Sequence, residues 1–128
     1  MRGWAGLVFA SALAGGGCAG ASRLEVPSTL PNVTQQDFLT LRWALEREGG
    51  TARAVGLAEA STGTGWDAVL DLYGLDREGR IVSRGTRMVR PGFGPGPTAF
   101  EVALAETGRE AEFQLHVARS RINSRPGD

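Results

Sequence analysis

The feature that most narrows the fold is a two-residue hydrophobic period that recurs in short runs through most of the chain. Leu39, Leu41, Trp43 and Leu45 alternate with Thr40, Arg42, Ala44 and Glu46. Ala68, Leu70 and Leu72 occupy one parity, and Asp67, Asp71 and Tyr73 the other. Phe100, Val102 and Leu104 repeat the pattern, as do Phe113, Leu115 and Val117 against Gln114, His116 and Ala118. Successive strand residues point to opposite faces, so such runs make half-buried strands. A helix over residues 35–48, capped by Thr34 and ended by Gly49, is the rival for the first run. Its apolar face would have to take in Arg42 and would leave Leu39 and Trp43 pointing elsewhere. Two weaker runs read as strands as well. Residues 51–60 have Val55 and Leu57 as their clearest core positions. Residues 80–90 carry Ile81, Val82, Met88 and Val89, whose facing the pattern does not fix.

Turn chemistry separates these runs. Gly49-Gly50 suits the positive φ angles of a tight hairpin, and Asp76-Arg77-Glu78-Gly79 carries the residues of a type I turn followed by a left-handed glycine. Ser61 to Gly65 and Pro91 to Pro97 are glycine-rich loops, and Thr107-Gly108-Arg109-Glu110 turns the chain into its last run. Six short strands with such connections predict an all-β protein, an antiparallel sandwich of about six to seven strands, because a lone sheet would leave one face bare. Hydrophobic content of 41% and charged content of 22% fit one folded domain.

The N-terminal segment reads as an export signal. Arg2 precedes an apolar run from Trp4 to Ala14, and Gly15, Gly16 and Gly17 lead to Cys18, the only cysteine. The run is too short for a membrane span, which needs roughly 17–25 residues, and suits the apolar region of a signal peptide. The segment resembles a bacterial lipoprotein signal, with Gly15 where a leucine is usual. That resemblance implies lipidation of Cys18 and, with Ala19 following, sorting to the outer membrane. Cleavage after Ala19-Gly20-Ala21 is the alternative, and would release a soluble periplasmic or secreted protein. An intermolecular disulfide is a third use for an unpaired thiol. The expected organisation is a signal over residues 1–17, a proline-marked tether over 18–36, a sandwich over 37–121 and a tail over 122–128. The sequon Asn32-Val33-Thr34 carries no weight in a bacterial chain.

The stretch from Ala68 to Val82, with the later proline–glycine loop leading into Thr98-Ala99-Phe100-Glu101-Val102, resembles the bacterial FxLYD-type domain. Gly74 and Leu75 stand where that family usually has leucine and tyrosine. The resemblance spans roughly residues 41–117. It implies an immunoglobulin-like sandwich of the cell envelope, often in lipoproteins, and brings no catalytic residues.

Candidate chemistry is sparse. His116 is the only histidine, and a metal site needs about three or four ligands. Asp67 and Asp71 are separated by about 13 Å along a strand. Paired acid–base carboxylates sit at most about 9.5 Å apart, so the two aspartates read as solvated charges or cross-strand partners of arginines. The glycine triplets at 63–65 and 92–94 open no helix and cradle no phosphate. Ser61, Ser83 and Ser120 lack a nucleophile setting. All fourteen basic residues are arginine, balanced by fourteen acids, which leaves no basic excess for nucleic acid. Arg80, Arg84, Arg87 and Arg90 recur along one run, three of the four on one face, as a salt-bridged face or as a contact for anionic headgroups or an acidic partner. Trp66 and Phe93 flank loops, where binding surfaces are often built.

These features predict a non-enzymatic envelope lipoprotein without cofactor or metal. Its partner is the membrane through Cys18, and an envelope protein or glycan beyond that. The alternative is a soluble module that binds a glycan or anionic ligand through Trp66, Phe93, Arg84 and Arg87. A hydrolase using Asp67 or Asp71 with His116 is the third reading.

Overall fold

A computed structural model describes residues 24–61, 65–91 and 96–123. The expected signal over residues 1–17, Cys18, Ala21, Phe93 and the last five residues lie outside the described residues. Those described form an all-β sandwich of seven strands: β1 (Asn32–Gln36), β2 (Leu39–Glu48), β3 (Thr51–Ala60), β4 (Trp66–Leu75), β5 (Ile81–Val89), β6 (Thr98–Ala105) and β7 (Glu112–Ile122). One antiparallel sheet has the order β1-β2-β3-β6 and the other β5-β4-β7. In an immunoglobulin constant domain the second strand pairs with the fifth; here β2 pairs with β3 in a ten-residue hairpin register.

The turns follow their residues. Gly49 and Gly50 have φ of 59° and 83°, the left-handed pair that matches hairpin twist. At the β4–β5 turn Gly79 has φ of 81°, and the Asp76 carboxylate accepts the backbone N–H groups of Glu78 and Arg80 at 3.0 and 2.9 Å.

The core lies between the sheets. Leu39, Leu41, Trp43, Leu70, Leu72, Phe100, Val102, Leu104, Leu115 and Val117 fill it. β3 differs from expectation. Ala52, Ala54 and Ala58 face the core, while Val55 is buried on the opposite, outer face and Leu57 is half-buried beside it. The reason is volume. β3 lies against the large side chains of β2, with Trp43 opposite Gly56 and Leu41 opposite Ala58. A Cβ on Gly56 would collide with the Arg42 carbonyl and approach the Trp43 Cα at 2.8 Å.

The four edge strands meet at two seams, and the seams are closed differently. β1 occupies residues that the sequence assigns to a tether. Its Thr34 hydroxyl donates to the Leu115 carbonyl at 3.0 Å, and the Gln36 amide both donates to Val117 O at 2.8 Å and accepts from Val117 N at 3.3 Å. Gln36 thus stands in for a peptide group and stitches β1 to β7. On the other side β5 packs against β6, and Gly85 permits this because a Cβ there would collide with the Ala103 carbonyl. β7 continues through Ile122, one residue into the expected tail.

Candidate functional site

Among the described residues, polar side chains converge on the outer face of the β5-β4-β7 sheet and in a groove beside the β5–β6 seam, as well as around the turns that hold Asp76, Arg80, Thr107 and Glu110.

On the sheet face, Asp71 is the hub. It points away from the core, yet is only 1% exposed, because its neighbours roof it. Its Oδ1 accepts the Thr86 hydroxyl at 2.7 Å, and Oδ2 accepts the Tyr73 hydroxyl at 2.9 Å and an Arg84 N–H at 3.1 Å. The register makes this possible: Thr86 lies directly opposite Asp71, and Arg84 opposite Tyr73. Burial pushes the Asp71 pKa up, but hydrogen bonds from Thr86 and Tyr73 and the charge of Arg84 outweigh it and hold the carboxyl below its ordinary value. The same bond to Asp71 raises the Tyr73 hydroxyl. Arg84 lies 5.9 Å from the Tyr73 ring centre, and the His116 ring 5.4 Å on its other flank.

His116 and Asp71 face each other across β4 and β7. Even so, the imidazole Nε2 pairs with the Gln114 side-chain oxygen at 3.0 Å. Asp71, with three donors and a depressed pKa, is a poor proton acceptor. Asp67 lies at the far end of the face, bridged to Arg121 at 3.2 Å. Among the described residues no serine hydrogen-bonds to His116; Ser120 donates to Asp37 instead. The arrangement orders a sheet face, with Asp71 spent on holding it together. Asp67 and Asp71 are both cross-strand partners of arginines, and Asp71 is not solvated.

The groove encloses about 850 Å³. Its walls come from the entering segment Leu24–Pro27, from Arg87–Arg90 at the end of β5, and from Ala99–Glu101 of β6. Val55 lines it from the outer face of β3. Beside Val55, Arg53 is clamped between Glu101 at 2.9 Å and Glu46 at 2.8 Å. Arg87 sits opposite Leu70, a core-side position, but on the edge strand, so its long stem emerges through the open seam.

The structure therefore separates residues that the sequence groups. Arg84 belongs to the Asp71 cluster and Arg87 to the groove. Trp66 is not an exposed loop aromatic: it is 5% exposed and packs edge-on against Phe38, ring centres 6.4 Å apart. Its parity matches Ala68, Leu70 and Leu72, a signal that outweighs its place beside a loop. Phe93 and Cys18 lie outside the described residues. The sequence reading missed the Arg53 clamp and the part of Leu24–Pro27 in the groove, since both depend on contacts distant in sequence.

Among the described residues no three His, Cys, Asp or Glu side chains are grouped to hold a metal ion, and no helix is long and apolar enough to cross a membrane. Comparison with protein-family models, curated proteins and solved structures finds no match.

Proposed function

We propose that this protein is a non-enzymatic interaction domain of the cell envelope, held at a membrane by a lipid on Cys18. The observation that carries the binding role is the groove. It is the concavity where the chain's entering segment, the end of β5 and the outer face of the larger sheet meet, and it is lined by three arginines, three glutamates and apolar side chains together. The two candidate groups for chemistry are engaged elsewhere: Asp71 with Thr86, Tyr73 and Arg84, and His116 with Gln114. The anchoring role rests on the apolar run and the single thiol at Cys18. Burial of Trp66 removes one of the two aromatics that a glycan platform would use.

The test is fractionation of cells expressing the full chain. The wild-type protein is expected in the membrane fraction, resistant to high salt and extracted by detergent, while Cys18→Ser is expected in the soluble fraction or retained as uncleaved precursor. Identical processing and fractionation of the two would refute the anchor.

A further inference from the structure

The arginine row of the sequence is divided by the fold. Arg80 bridges Asp76 and Glu78, both at 3.2 Å, and Arg84 bridges Asp71 at 3.1 Å. Arg87 and Arg90 form no ion pair with a described residue, although the charge of Arg90 helps to lower the pKa of Asp67 after its hydrogen bonds to Arg121 and Asn123. Both line the groove. Three arginines and three glutamates line the groove, so it is balanced in charge as a whole; Glu46 and Glu101 both bind Arg53, and among the described residues Arg87 and Arg90 are the lining arginines without an ion pair. Met88, between them in sequence, is 52% exposed.

The entering segment reaches this same groove. Residues 19–23 alone separate Cys18 from Leu24, so Leu24 lies within about 20 Å of the Cys18 backbone even with the chain fully extended. With a lipid on that sulfur, this short connection keeps Arg87, Met88 and Arg90 within reach of the headgroup layer. We propose that they form a membrane-docking lip that binds the phosphodiester headgroups of anionic phospholipids and seats the sandwich on the bilayer that anchors it. The inference rests on the anchor reading for its biology, and its test does not.

All described strands and the core lie within residues 24–123, so the chain from Cys18 keeps the whole folded body. Coupling its only thiol to a single maleimide-linked acyl chain of myristoyl length gives marginal, reversible membrane binding, on the order of 10⁴ M⁻¹. A further protein contribution is then measurable. Partition into vesicles containing phosphatidylglycerol should exceed partition into neutral phosphatidylcholine vesicles and fall at high salt. Near an anionic surface each arginine is worth about fivefold. The variant Arg87→Ala/Arg90→Ala should therefore lose roughly 25-fold on the anionic vesicles. It should change little on the neutral ones, with its unfolding midpoint confirming the fold. Equal partition of the wild-type chain into both vesicle types, or an unchanged double variant, would overturn the proposal. So would full displacement by millimolar glycerol phosphate, which would assign the arginines to a soluble anion. Because the acyl chain is attached chemically, failure of natural lipidation leaves this result unaffected and is seen in the Cys18→Ser fractionation instead.

Discussion

Removing the Asp71 carboxyl leaves Tyr73, Thr86 and Arg84 without their shared acceptor. Loss of a buried, charge-assisted acceptor destabilises by about 1–3 kcal/mol. Asp71→Ala should lower the urea midpoint accordingly, while His116→Ala, exposed and bonded only to Gln114, should stay within about 0.5 kcal/mol. The face Asp71 occupies was legible from its parity with Asp67 and Tyr73. Its burial was not, because the roof is supplied by Arg84 and Thr86, which reach it only once β5 pairs with β4. Trp66 shows the reverse: its period-two position already placed it inward, and proximity to a loop was the weaker cue.

At the scale of elements, β2, β4 and β6 were readable because large apolar residues alternate there, and Gly49-Gly50 marks the turn between β2 and β3. β1 was not. Its sequence Asn-Val-Thr-Gln-Gln has no apolar period, and it is held by backbone pairing to β2 and by side-chain bonds to β7. In β3 the cue of size misled, since Val55 and Leu57 outweigh the alanines by volume but the space facing β2 admits only small residues. Gly56→Ala should therefore force the β2–β3 hairpin apart and cost about 1–3 kcal/mol, read as a lowered thermal midpoint. Gln36→Ala should remove the stitch to β7 at about 0.5–1.5 kcal/mol per hydrogen bond. Amide exchange at Val117, whose N–H donates to Gln36, should accelerate more than exchange at Leu72 in the middle of β4.

For the molecule as a whole, carboxylates set the response to acid. Asp67, Asp71 and Asp76 all have lowered pKa values. The Ser83 hydroxyl beside Glu110, together with the Thr107 N–H and hydroxyl, outweighs partial desolvation and holds that carboxyl at about 2, down from 4.5. A carboxyl whose folded pKa lies below its unfolded one contributes stability that is present above the unfolded value and lost as pH falls through the folded one. The urea midpoint should therefore be nearly flat from pH 7 to about 5 and fall steadily from about 4.5 towards 2. The arginines divide at this scale too: Arg80 and Arg84 fasten the β5-β4-β7 sheet to itself, and Arg87 and Arg90 are left at the groove where the chain enters. That division gives a location for binding only if the chain is tethered there. The most direct test is the mass of the mature protein's N-terminal peptide isolated from bacterial membranes. A peptide beginning at Cys18 and carrying a diacylglyceryl modification is the predicted result; a peptide beginning at unmodified Ser22 would contradict the anchor.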